Sequence, residues 1–175
     1  PACGPIFTEH HHTPWGAAVN FDTDGSEAVR ALVVENALYW LTEFNLDGLR
    51  LDAVDALKDD TEPHILSEMA ERLRACERER GRPVHLMLEN DKNEAFRLKR
   101  ENDGRPLHYT AQWSDDLHHV LHSAASGDRS TYYASYEGDT GKLGRALAEG
   151  FAFQGEVPPH RANEPEKHGG RGEPS

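Results

Sequence analysis

GLRLDAV at residues 48–54 and VHLMLE at residues 84–89 are two short stretches with hydrophobic side chains at alternating positions. Each has the length of a β-strand, in which successive side chains point to opposite faces. The alternating leucines therefore belong to one face, and Arg50, Asp52 and Glu89 to the other. A helix predicted over residues 63–80 separates the two stretches, and this order predicts a βαβ unit with parallel strands.

The alternation of helices and strands continues on both sides of this unit. A helix is predicted from a capping box at residues 24–27 to about Asn45. Residues 107–113 (LHYTAQW) predict a third strand, and residues 115–125 and 142–151 predict further helices. Residues 1–24 are expected to be irregular. The fold class is therefore α/β, with about three parallel strands and flanking helices.

The length of the chain limits this fold. A (β/α)8 TIM barrel typically needs about 250 residues, and this chain has 175. We expect an incomplete barrel, the central part of one, over residues 1–153. Residues 154–175 are polar, without periodicity, and are expected to be poorly ordered in isolation. Because the chain starts at Pro1 and not at Met, we expect it to be a fragment.

Composition narrows the class of partner. The formal net charge is −12, from 31 acidic and 19 basic residues, which disfavours nucleic acid and anionic membranes because both would be repelled. No stretch is apolar for about 18 residues, as a membrane helix would be, and no signal peptide is visible. We therefore expect a cytoplasmic protein that acts on a neutral ligand. The sequence does not indicate an oligomeric state.

The sequence predicts neither a metal nor a cofactor. Cys3 and Cys76 do not form a disulfide framework or a zinc spacing. His10, His11 and His12 are consecutive, and in regular structure they cannot all face one metal ion.

Asp52 and Glu89 are the candidate catalytic residues because reactive groups of parallel sheets lie at the carboxyl ends of the strands. Two carboxyl groups about 5–5.5 Å apart are the minimum for retaining glycoside hydrolysis, one ionised to attack and one protonated to donate. Arg50, on the same strand face as Asp52, favours its ionised form. The alternative is that both are ordinary strand-end acids and that Arg50 and Asp52 form a structural ion pair.

Two segments resemble conserved motifs of the α-amylase superfamily. FNLDGLRLDAVDAL at residues 44–57 is similar to its nucleophile segment, and HLMLEND at residues 85–91 to its acid/base segment. The resemblance implies that Asp52 is the nucleophile, Arg50 its supporting partner and Glu89 the proton donor. It also implies a TIM barrel.

Within that superfamily the chain resembles the maltooligosyltrehalose trehalohydrolases. HHTPWGAAVNFD (11–22), LENDKNEA (88–95), AQWSDDLHHVLH (111–122) and RGEPS (171–175) carry this resemblance. It implies a retaining hydrolase that cleaves the α-1,4 bond next to the terminal trehalose of maltooligosyltrehalose, with no cofactor. The implied partner is that substrate or a related α-glucan.

The same resemblance suggests residues that contact the sugar. Trp113 can stack on a pyranose while Asp115 and Asp116 bind hydroxyl groups, although acids at a first helical turn also act as N-caps. His12 and Trp15 are further candidates, or they brace a loop. Asp55 stands where these enzymes usually have histidine, and an added anion three residues beyond Asp52 could alter sugar binding.

Two alternatives remain open from the sequence. The first is another superfamily member, such as a 1,4-α-glucan branching enzyme, which shares a similar stretch around Asp52. The second is that the isolated chain is a non-catalytic fragment, because the superfamily needs a third catalytic carboxylate on an Asn-His-Asp segment that this sequence lacks. Three strands alone would also leave open sheet edges, so we expect the 175 residues by themselves to be inactive.

Overall fold

The structure, a computed structural model, describes residues 4–162. The chain divides into two compact units, one formed by Pro1–Leu88 with Arg100–Ala111 and the other by Glu89–Lys99 with Gln112–Ser175. Residues 163–175, most of the segment expected to be a poorly ordered tail, lie outside the described part. Among the described residues, no helix combines the length and apolar character needed to cross a membrane.

A parallel three-stranded sheet confirms the α/β prediction. Its strands are β3 (Gly48–Leu51), β4 (His85–Asn90) and β5 (Ala111–Ser114), in the order β3-β4-β5. β3 and β4 pair in parallel from Gly48↔His85 to Leu51↔Leu88. The two outer strands, β3 and β5, are shorter than predicted. β3 ends at Leu51 instead of residue 54, and β5 begins at Ala111 instead of residue 107.

Four α-helices lie close to their predicted positions. They are α1 (Ser26–Glu43), α2 (Ile65–Arg80), α3 (Asp115–Ser126) and α4 (Thr140–Glu149). α2 buries one apolar face, formed by Ile65, Leu66, Met69, Leu73 and Cys76, of which Ile65 and Leu73 are at 0% exposure. α1 differs, because Val29 and Leu41 are buried while Trp40 and Phe44, at 41% and 53% exposure, are not.

The prediction that residues 1–24 are irregular was wrong. Phe7–Thr13 (β1) and Gly16–Val19 (β2) form an antiparallel hairpin. The predicted capping box was also wrong, since Gly25 occupies the N-cap of α1 in a left-handed conformation and no side chain caps the helix. A residue without a side-chain acceptor cannot bond the first helical amides.

The guanidinium of Arg30, 13% exposed, connects α1 to the segment before α2. It donates to the carboxylates of Asp59 (2.7 Å) and Glu68 (2.6 Å) and to the carbonyl oxygens of Phe21 (2.9 Å) and Pro63 (2.8 Å). Burial acts to raise the pKa of Asp59, but hydrogen bonds, including those from Thr61 and Arg30, outweigh it and hold that pKa below its usual value.

A second arginine, which is buried, fixes the chain that leads into β5. Arg74, 5% exposed on α2, donates to the carbonyl oxygens of His108 (2.8 Å) and Val84 (2.7 Å) and to the hydroxyl of Thr110 (3.0 Å). The Thr110 amide donates to the Leu86 carbonyl at 2.8 Å. These bonds satisfy a buried cation and hold residues 108–110 beside β4.

The second unit has its own small core, in which α3 and α4 pack on residues from the chain that follows them. Its buried members are Val120, Tyr136, Ala146, Ala152 and Phe153, with Leu117 and Leu143 packed against them.

Gly48 is required by the close approach of β3 and β4. A Cβ at this position would lie 2.1 Å from the His85 carbonyl oxygen, a backbone atom that cannot move aside without disturbing the strand pair. We expect Gly48→Ala to lower the free energy of unfolding by about 1–3 kcal/mol, measured by denaturant titration. Gly144→Ala is the matched control, because its Cβ meets nothing within 4 Å and alanine favours helix. Equal stability of the two variants would contradict the argument.

Candidate active site

Arg50 and Asp52 lie together on the exposed face of β3 and its end. The Arg50 Nη1 atom is 2.5 Å from Asp52 Oδ1, and the two side chains are 37% and 76% exposed. Leu49 and Leu51, the alternate residues, are half-buried. Arg50 and Asp52 thus share one exposed side of the strand and its end, where they form an ion pair.

The backbone turns sharply directly after Asp52. Ala53 has a left-handed conformation, with φ 46° and ψ 48°, and a short 3-10 helix follows at Val54–Ala56. A non-glycine residue in this region is uncommon and costs free energy, so it persists only where the surroundings determine it. The turn ends the strand at the residue before Asp52 and places Asp55, which is half-buried, in the 3-10 helix.

Glu89 lies on β4, half-buried and on the face opposite the buried Leu86 and Leu88. The next residue, Asn90, is 1% exposed and fixes the end of the strand. Its amide donates to the Glu94 carboxylate at 3.0 Å, and its carbonyl oxygen accepts from the Gln112 amide at 3.0 Å. The backbone that carries Glu89 is thus held by side chains from two other segments of its own unit.

Trp113 and Asp115 occupy the junction of β5 and α3. Trp113 is 60% exposed, and Asp115 is half-buried at the first position of α3. The N-cap is Ser114, whose hydroxyl accepts from the Leu117 amide at 3.2 Å. The helix therefore does not need Asp115 as its N-cap, and an exposed aromatic ring next to a carboxylate suits a pyranose.

Asp116 does not match the prediction of a sugar contact. It is 4% exposed, and its carboxylate accepts four hydrogen bonds. The donors are the Tyr136 hydroxyl (2.6 Å), the Asn93 amide (2.6 Å) and the backbone amides of Ala152 (2.8 Å) and Phe153 (2.9 Å). This carboxylate holds the second unit together and has no surface left for a ligand.

The candidates on the hairpin are exposed. Trp15, at the turn between β1 and β2, is 77% exposed. The His12 side chain is 65% exposed and its Nε2 atom lies 3.1 Å from the Glu9 carboxylate. The structure thus presents both side chains at the surface of the hairpin.

One group of neighbouring side chains was not predicted from the sequence. His10, His11, Asp22 and Asp60 each offer a ligand atom, and these atoms lie within 4.8 Å of one another. Three consecutive histidines were the visible signal, but the argument against a metal assumed a regular strand.

Comparison with known proteins finds relatives that match most of the chain. Profiles of described protein families give no match. The chain is 39% identical over 155 residues to the malto-oligosyltrehalose trehalohydrolase of Mycobacterium tuberculosis, covering 89% of this chain and 26% of that protein. The trehalohydrolase of Arthrobacter ramosus is 37% identical over 171 residues, covering 98% and 29%. The chain is a homologue of the malto-oligosyltrehalose trehalohydrolases.

A solved structure supports the same relationship. A Salmonella typhimurium protein, described provisionally as an alpha amylase, matches with a TM-score of 0.83 and 38% identity, over 95% of this chain and 27% of that one. The likeness confirms an incomplete TIM-barrel fold. This trehalohydrolase homologue spans about a quarter of the length of the relatives it matches. A branching enzyme of Leifsonia xyli subsp. xyli is 54% identical, but over 46 residues, or 26% of the chain.

Asp116 and its neighbour Asp115 give a direct test of the second unit. We expect Asp116→Ala to lower the free energy of unfolding by at least about 3 kcal/mol, because four donors lose a buried acceptor. Asp115→Ala removes a half-buried carboxylate at the same end of the helix and should cost less than about 1 kcal/mol. Thermal and denaturant unfolding of both variants measures the difference, and a similar loss in both would contradict the assigned role of Asp116.

Proposed function

We propose that the full-length protein containing this chain is a retaining glycoside hydrolase that releases trehalose from maltooligosyltrehalose. In this proposal Asp52 attacks the anomeric carbon next to the terminal trehalose unit. Glu89 protonates the leaving oxygen and then activates the water that hydrolyses the glycosyl-enzyme intermediate.

The strand ends carry this proposal. β3 delivers an Arg50–Asp52 ion pair at its carboxyl end, and β4, its parallel neighbour, delivers Glu89 one residue beyond the Leu51↔Leu88 pair. Reactive groups of TIM barrels gather at this edge of the sheet. Two carboxyl groups on neighbouring strand ends are the pair that retaining hydrolysis needs. A cytoplasmic location fits the same reading.

The trehalohydrolase assignment is supported by the extent of the likeness. Matches to trehalohydrolases cover 87–98% of the chain at 36–39% identity in three bacterial and archaeal relatives. Trp113 and Asp115 are the proposed sugar contacts from the described part of the chain, with His12, Trp15 and Asp55 as further candidates. Asp116, through its bonds to Asn93 and Tyr136, holds the start of α3, which carries Asp115.

The product distinguishes the two activities. We expect the full-length protein, incubated with maltooligosyltrehalose, to release free trehalose and a shortened maltooligosaccharide, both detected by chromatography. A branching enzyme transfers the glucan to a sugar hydroxyl instead of water. New α-1,6 branches in a linear α-glucan, without trehalose from the first substrate, would therefore reject the hydrolase and support the branching activity.

The two carboxyl groups can be separated by leaving-group chemistry. Asp52→Asn in the full-length protein should lower kcat by at least about a thousandfold with every substrate, because no nucleophile remains. Glu89→Gln should lower kcat similarly with the natural substrate, but much less for the first step with a glycosyl fluoride, whose leaving group needs no proton.

A neighbouring acid supplies the control. Asp47 is 70% exposed and pairs with Arg82, so Asp47→Asn removes one carboxylate charge, as Asp52→Asn does, while sparing both strand ends. It should retain wild-type kcat and the same far-UV circular dichroism as the other variants. Near-normal turnover by Asp52→Asn or Glu89→Gln with the natural substrate would remove the role given to that residue.

A further inference from the structure

A β-bulge in the hairpin brings two consecutive histidines together. β1 and β2 pair at Thr8↔Ala18 and next at His12↔Ala17, so three extra residues of β1 lie between adjacent pairs. In a regular strand His10 and His11 would point to opposite faces, and a bulge removes that alternation. Their ring centroids are 4.4 Å apart, and their Nε2 atoms lie 3.5 Å and 3.3 Å from the same oxygen, Asp60 Oδ2.

Asp22 is the fourth member of this group. Its side chain is 2% exposed, and its Oδ2 atom lies 2.7 Å from His11 Nε2 and accepts the Asp60 backbone amide at 3.0 Å. Its Oδ1 atom is buried and has no hydrogen-bond partner among residues 4–162. A buried carboxylate oxygen without a partner costs free energy, and a bound cation is one arrangement that removes this cost.

The charges around the group also favour a bound cation. Within residues 4–162, Asp22 and Asp60 form ion pairs with His10 and His11 and with no lysine or arginine. Two carboxylates therefore face two imidazoles that carry a positive charge only when protonated. A divalent cation would neutralise both carboxylates while the imidazoles bind it in their neutral form.

We propose that His10, His11, Asp22 and Asp60 form a zinc site. Two ligands about 2.0–2.1 Å from a tetrahedral zinc ion lie about 3.3–3.4 Å apart, which is close to the 3.3 Å and 3.5 Å that separate the histidine nitrogens from Asp60 Oδ2. His11 Nε2 and Asp22 Oδ2, which are 2.7 Å apart in a hydrogen bond, would move apart when both bind the ion. Imidazole ligands favour zinc over magnesium and calcium, which prefer oxygen alone. Four protein ligands make the site structural and leave no open position for a substrate.

The Arg30 network holds both carboxylate-bearing segments in place. Its guanidinium binds the Phe21 carbonyl at 2.9 Å and the Asp59 carboxylate at 2.7 Å, each adjacent in sequence to one of the carboxylate ligands. Part of the ordering needed for metal binding is therefore already supplied by the fold. The site would attach the hairpin to the segment that precedes α2, and it does not depend on the proposed hydrolase activity.

The test uses the full-length protein, stripped of metal by a chelator and then titrated with zinc chloride. We expect one zinc ion per chain by calorimetry, a rise in Tm as zinc exceeds its Kd, and tetrahedral visible bands of high absorptivity when cobalt(II) replaces zinc. Magnesium at the same concentrations should give no such rise. Absence of stoichiometric zinc binding, or cobalt bands typical of octahedral coordination, would reject the site.

Variants locate the binding. His11→Ala and Asp60→Asn should each weaken zinc binding by more than about 100-fold, since even loss of a group that orients a ligand costs 10–100-fold. Asp60 is 71% exposed, so its variant is expected to fold even if changes at the buried Asp22 prevent folding. His12→Ala, which removes the adjacent histidine outside the group, should bind zinc like the wild type. Unchanged affinity in His11→Ala and Asp60→Asn, or an equal loss in His12→Ala, would overturn the proposal.

Discussion

The half-buried guanidinium of Arg30 is the constraint on which the first unit depends. A desolvated cation is tolerated only where carboxylates and carbonyl oxygens satisfy its donors, and here those acceptors come from the end of the hairpin, from the connection after β3 and from α2. One side chain on α1 thus determines where the chain can run between β3 and α2. The lowered pKa of Asp59 is a consequence of the same hydrogen bonds.

The sequence predicted the elements whose burial follows a simple period. α2 and β4 bury one face each, so the spacing of Leu66 and Leu73 indicates a helix and that of Leu86 and Leu88 a strand. The hairpin has no such pattern, because Phe7 is 65% exposed and the bulge interrupts alternation. Its pairing depends on backbone hydrogen bonds, which the side-chain types do not encode.

The residues of the candidate site were likewise predictable only where they follow the period of a strand. Arg50, Asp52 and Glu89 follow from strand parity, because a face opposite buried leucines is fixed once the strand is known. Asp116 was predicted to contact the sugar from the family resemblance, whereas its partners in the structure, Asn93, Tyr136, Ala152 and Phe153, lie 20 to 37 residues away in sequence. The histidine and aspartate group was missed for the same reason, since its members meet only through a bulge and a distant loop.

The reaction and the choice of substrate depend on different parts of such a protein. Strand ends held by a close backbone approach at Gly48 and by the Arg74 bonds carry Asp52 and Glu89, the residues proposed for the reaction. Substrate choice depends on loops and exposed side chains such as Trp113. The branching-enzyme likeness, strong over 46 residues, fits a shared catalytic segment. The trehalohydrolase likeness extends over 155–171 residues, so it reaches well beyond that segment.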